Sequence, residues 1–200
     1  TGVALEYNIP VTNNRIDFII TGLDSKGISN IVMIELKQWQ HVQATDKDGL
    51  VVTHYEDGLK ETTHPSYQVA CYAFLLYDFN EAVHQRKVSL HPCVFMHNYV
   101  DDGSISDERY RKYTEKAPVF CKDEEDKLHE FITRYVRKSD QNKSIYVIEN
   151  GKKVPSKSLI DCVVKMAQGN PEFNMIDEQK VAYQNILWAY DEYQRTGRKQ

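Results

Sequence analysis

Two stretches constrain this chain most: RIDFII, which carries Asp17, and IVMIELKQW, which carries Glu35 and Lys37. Each is a run of Ile, Val, Met, Leu and Phe at strand length, the composition of a buried strand. An ionised group inside such a run is costly unless it is paired or binds a metal. Residues two apart on a strand point to one face, so Glu35 and Lys37 share a face. An Asp on one apolar strand and a Glu-x-Lys on the next bring two carboxylates and an ammonium to one sheet. That set suits metal-dependent phosphodiester chemistry. It also suits a buried Glu–Lys or Asp–Lys ion pair with no further role.

At 200 residues the chain matches one domain, with or without an appendage. A hydrophobic content of 41% supports a real core. No stretch approaches the ~20 apolar residues of a membrane span, so no membrane partner is expected. Cys71, Cys93, Cys121 and Cys162 are scattered, with no Cys-x-x-Cys pair. That spacing disfavours zinc and leads to the expectation of a reduced, cytoplasmic protein. The net charge of −4 excludes a broadly cationic surface, so nucleic-acid contact would need a local patch or a neighbouring domain.

Along the chain, residues 3–9, 15–21 and 31–37 read as three strands with short connections, an antiparallel meander. Residues 40–63 are polar and read as a long loop or extended hairpin, with a short strand at Leu50 to Thr53. From Ser66 the apolar period changes to three and four, predicting a helix over 66–79. Strands are predicted at 93–100, 117–120 and 145–148. Further helices are predicted over 123–137, 156–168 and from Asp177 to about Arg195. The order of elements describes an α/β domain with a mixed central sheet.

Mg²⁺ prefers hard oxygen donors and takes only one or two protein carboxylates. Asp17 and Glu35 can supply these, with the Leu36 carbonyl beside them. Lys37 can position or deprotonate a water and offset phosphate charge. In this pattern, Ile16-Asp17 followed by Glu35-Leu36-Lys37 resembles the PD-(D/E)XK nuclease superfamily, with Ile16 where the motif has proline. Downstream, Gln68-Val69-Ala70-Cys71-Tyr72 is similar to the QxxxY helix of RecB-type members. The four-residue spacing puts Gln68 and Tyr72 on one helix face. Their amide and hydroxyl can hydrogen-bond a phosphate or orient Lys37.

The resemblance implies a restriction-endonuclease-like core in which helices flank a mixed sheet. It implies catalytic roles for Asp17, Glu35, Lys37, Gln68 and Tyr72, and Mg²⁺ or Mn²⁺ held by Asp17, Glu35 and Leu36. Members also take an acid from an upstream helix or first strand. Glu6 is the candidate here, and a plain solvated strand residue is the equal alternative. The implied partner is nucleic acid, with DNA favoured. IDEQKVAYQNI, together with the earlier motifs, is similar to the nuclease-like region preceding a superfamily 1 helicase domain. That implies a nuclease-like domain over 1–150, a helical extension over 151–200 and a helicase domain in the same polypeptide, acting in DNA processing or phage defence. No GxxxxGK[ST] occurs, so no ATPase activity is assigned. An inactive module that binds nucleic acid or regulates the helicase is the alternative, and a homo-oligomer stays open.

Other residues carry weaker claims. Trp39 reads as a core lid, with base stacking as its alternative. His41, His54 and His64 lie in or beside the polar stretch, where plain exposure is the usual state; of the three, His64, next to a helix N-terminus, is the best placed for phosphate. The run Arg109-Tyr110-Arg111-Lys112-Tyr113 has the composition of a nucleic-acid contact, but its flanking acids favour a solvated charged loop. His91, His97 and His129 show no metal-ligand spacing.

Overall fold

The computed structural model describes residues 1–9, 14–85, 88–153 and 177–196. The helix expected over 156–168, and Cys162 with it, lies outside these residues.

Strands β1 (Gly2–Asn8), β2 (Arg15–Leu23) and β3 (Ser29–Leu36) form the expected antiparallel meander. The β2–β3 turn is closed by Asp24, whose Oδ1 accepts the Lys26 and Ile28 N–H groups at 2.8 and 2.9 Å. Gly27 takes the left-handed position there, at φ 80°. Residues 40–63 follow the extended-hairpin alternative. They form a separate antiparallel sheet of β4 (Val42–Ala44), β5 (Leu50–Tyr55) and β6 (Gly58–Thr63), with the strand expected at Leu50 to Thr53 present as part of β5. Val42, Leu50, Val51 and Thr53 are buried, and Leu50 and Val51 are buried side by side, so the strands show no clean alternation. Strands this short carry too few apolar positions for a clear period.

Helix α1 (Pro65–Phe79) follows, then α2 (Glu81–Gln85) and β7 (Ser89–Met96), which runs parallel to β3. A 3₁₀ turn (Glu108–Tyr110) leads into α3 (Arg111–Thr114), and β8 (Val119–Cys121) pairs parallel to β7. The main sheet therefore has the order β1-β2-β3-β7-β8. Helices α4 (Glu125–Tyr135), α5 (Lys143–Asn150) and α6 (Asp177–Thr196) complete the described chain. The α/β class with a mixed, helix-flanked sheet is the observed architecture.

The segment IYVI (145–148) is not a strand but lies inside α5. An apolar run of four does not distinguish strand from helix by period. Tertiary burial decides it: Val147 and Ile148 pack into the main core, and Asp140 accepts the Asn142 and Ser144 N–H groups at 3.1 Å each at the helix start.

The two faces of the main sheet hold different cores. Ile19, Ile31, Met33, Val94 and Met96 pack with Val69, Tyr72, Ala73 and Leu76 of α1 and with α5. Val32, Ile34, Cys93 and Phe120 meet Leu128, Phe131 and Tyr135 of α4 on the other side. Each fully buried aliphatic side chain contributes ~1.5–3 kcal/mol relative to exposure. No helix among the described residues is long and apolar enough to cross a membrane.

Candidate active site

The β2–β3 ladder runs from Leu23↔Ser29 to Phe18↔Ile34. One further step of that register sets Asp17 opposite Glu35, on the face of Ile19 and Met33 that α1 covers. At this end of the ladder a side chain takes over from the backbone: Asp17 Oδ2 accepts the Leu36 N–H at 2.8 Å. β3 is still held on its other edge, where Leu36 pairs with Phe95 and the Lys37 N–H donates to the Phe95 carbonyl at 3.0 Å. Asp17 is thus tied to the backbone next to Glu35.

Glu35 is 3% exposed, and its Oε1 accepts from Lys37 Nζ at 2.7 Å. The Lys37 ammonium also lies 5.3 Å from the centroid of the Trp39 ring, a cation–π contact. Trp39 is half-buried and packs against the main core, the lid role expected of it. The end of β3 and the residues just past it bring Glu35, Lys37 and Trp39 together. The spacing of two from 35 to 37 to 39 is the one local sign of the Trp39 contact.

Helix α1 packs over β3 and β7 on the same side of the sheet. Gln68 and Tyr72 share a helix face, as their spacing predicts, and there Gln68 Nε2 donates to Tyr72 Oη at 2.8 Å. Tyr72 is buried in the main core.

Glu6 is placed differently from Asp17 and Glu35. The β1–β2 register sets it opposite Asp17, between the pairs Leu5↔Phe18 and Tyr7↔Ile16. Its backbone is left-handed, at φ 47°, a conformation uncommon outside glycine. Its carboxylate is exposed and accepts from Arg15 Nη1 at 2.7 Å. Among the described residues no group of three or more His, Cys, Asp or Glu side chains converges as a metal cage. The candidate oxygen donors are Asp17, Glu35 and the Leu36 carbonyl. They fit Mg²⁺ or Mn²⁺ in kind, and a carboxylate has lone pairs to spare beyond the bond from Leu36.

The phosphate role expected of His64 is corrected. Its ring is fully buried as the cap of α1: Nδ1 accepts the Ser66 N–H at 3.1 Å and Nε2 donates to the Ile105 carbonyl at 3.0 Å. Burial pushes its pKa down to about 4, so the ring is neutral at pH 7. His41 and His54 are exposed and meet edge to face, with ring centroids 6.2 Å apart.

The Arg109–Tyr113 run is pinned rather than free. Arg109 pairs with Asp107 and Asp46, Arg111 with Glu108 and Glu115, and Lys112 with Asp48. Tyr110 is buried, accepting the Thr45 N–H at 2.8 Å and donating to the Leu50 carbonyl at 2.7 Å. Asp48, unremarked in the sequence, accepts from Tyr113 Oη at 2.8 Å and from Lys180 Nζ of α6 at 3.1 Å. A lone Asp in a polar stretch gives no local sign of that role.

No protein family, curated protein or solved structure matches the chain. The functional reading therefore rests on the site's own residues.

Proposed function

We propose that the chain is a divalent-metal-dependent nuclease domain of the PD-(D/E)XK kind that hydrolyses phosphodiester bonds in DNA. The observation that carries this reading is the β2–β3 register that sets Asp17 across from Glu35, with Asp17 bonded to the Leu36 N–H and Lys37 bonded to Glu35. Asp17, Glu35 and the Leu36 carbonyl would hold Mg²⁺ or Mn²⁺. Such an ion, when bound, polarises a phosphate and lowers the pKa of an attacking water.

The chain's own residues do the rest. Lys37 donates an N–H of its ammonium to a phosphate oxygen and steadies the negative charge that grows as the bond to the leaving oxygen breaks. Trp39, its ring centroid 5.3 Å from the ammonium, limits the freedom of that group to swing away. Gln68, held by its bond to the buried Tyr72, offers the rest of its amide to substrate or to the lysine. Attachment to a helicase, a cytoplasmic setting and a place in DNA processing or phage defence belong to the same reading.

A second reading has an observation of its own. The Glu35–Lys37 bond is complete without substrate, as in a module that binds nucleic acid without cutting it. The test is cleavage of single- and double-stranded DNA and RNA by the purified chain with Mg²⁺, Mn²⁺ or EDTA. Metal-dependent cutting that disappears in folded Asp17→Asn and Lys37→Gln proteins is expected. Binding with no cleavage under any metal would support the second reading, and equal activity in wild type and variants would end the first.

A further inference from the structure

On the other face of the sheet lies a cleft that the proposed site does not use. It has a volume of about 470 Å³ and opens between α4, the first half of β7 and the turn before β8. That volume lies within the range of small-ligand sites.

β8 covers β7 only from Val94 to Met96, so the start of β7 is an open strand edge. Val94 donates its N–H across that edge to the Pro118 carbonyl at 2.9 Å. By strand alternation the next position facing the edge is residue 92, a proline, which has no N–H to offer. A proline there bars an added strand and leaves the opening to a small molecule.

The cleft has an aromatic wall and a cationic rim. Phe120, Phe131 and Tyr135 line it, with ring centroids 5.5 and 5.2 Å apart along the series. His91 stacks on Tyr135 at 3.5 Å and 13°, while its Nε2 is engaged by Asn30 Oδ1 at 2.8 Å. Burial pushes the His91 pKa down to about 4, so it adds no charge near pH 7. At the rim, Glu115 is engaged by Arg111 and Lys127 by Glu124. Among the described residues, Lys116 and Arg134 enter no ion pair. Two uncommitted cations against Glu130 leave a local positive balance in a chain of net charge −4.

We propose that this cleft binds a small organic anion with a flat ring, of the nucleoside monophosphate class. The ring lies on the aromatic wall, and the anionic group sits between Lys116 and Arg134. Aromatic surface without the cations would serve any apolar molecule, and cations without the wall would serve any anion. Their combination selects for both features together.

Titration calorimetry of the full chain with adenosine 5′-monophosphate, in EDTA to keep the metal site out of play, is the test. We expect saturable binding with a Kd of ~1 mM or tighter. Adenosine and inorganic phosphate should each bind at least about tenfold more weakly, and the K116E/R134E protein should lose at least about tenfold in affinity. Both side chains are exposed, so the fold is expected to survive, and K116Q/R134Q serves if the reversal does not fold. The D17N protein should bind as wild type does, which separates this cleft from the proposed active site. No saturation at several-fold higher concentration, equal binding of adenosine, or unchanged affinity in the rim variants would overturn the proposal. None of these outcomes bears on cleavage.

Discussion

Lys37 Nζ sits 2.7 Å from Glu35 Oε1, with the carboxylate 4% and the ammonium 16% exposed. Two charges this far from water attract strongly, but each has lost hydration, so the pair's net contribution to stability is small while its rupture is costly. Removing Lys37 alone as Lys37→Ala should destabilise the fold by ~3–5 kcal/mol in urea unfolding, less whatever solvent reaches the site. The double replacement E35Q/K37Q should recover most of that loss and still not cleave DNA. A double variant as unstable as K37A would mean that the pair matters chiefly for packing.

Asp17 combines a structural bond with a place in the donor set. Asp17→Asn keeps an acceptor for the Leu36 N–H, so its melting temperature should stay close to wild type. Mn²⁺ affinity by calorimetry and cleavage should both fall, the latter by ~10²-fold or more. Asp17→Ala should lose stability as well, by ~1 kcal/mol, because the Leu36 N–H then has no partner. Retained Mn²⁺ binding in D17N would remove this residue from the donor set.

His64 makes stability depend on pH. Its pKa is about 4 folded against the ordinary histidine value of about 6.5, so between those values the unfolded chain binds more protons. Stability is then complete above about pH 6.5 and is lost as pH falls towards 4, by ~3 kcal/mol at most. The His64→Asn protein keeps a capping acceptor and should show a flatter urea midpoint across pH 4–7. His91, with a pKa of about 4 but more solvent contact, pulls in the same direction and more weakly.

Asp48 ties α6 to the rest of the chain through Lys180, and to α3 through Lys112 and Tyr113. Burial raises its pKa, yet the bonds from Lys112, Tyr113 and Lys180 outweigh this and hold the carboxyl below its usual value. Asp48→Asn, or acid below the ordinary Asp range, should loosen α6. Hydrogen exchange over 180–196 should speed up several-fold, with the β2–β3 core unchanged. Exchange confined to the core would contradict the tie.

Much of the site could be read locally. A charged residue in a buried run is anomalous on its own strand, so Asp17, Glu35 and Lys37 stood out before any fold was known. The four-residue spacing of Gln68 and Tyr72 sets them on one helix face in the same way, although their bond to each other is a product of the fold. Glu6 could not be placed like this, because its direction follows a left-handed backbone turn and the nearness of Arg15. Nor could His64, whose local context is that of an exposed helix start. Its burial comes from Ile105 and Tyr110, some forty residues on.

By itself the sequence determined the strand meander, helix α1 and α6, and which charges lie among apolar neighbours. Period and composition act over a few residues, and those features are set at that range. Tertiary structure alone decided that β3 runs parallel to β7, that IYVI is helical, that β4 joins the 50–63 hairpin in a sheet of its own and that the Arg109–Tyr113 run is pinned. Each of these depends on which distant surface covers a segment. Burial energy, hydrogen-bond satisfaction and ion pairing across the chain outweigh the weak local preference of short runs.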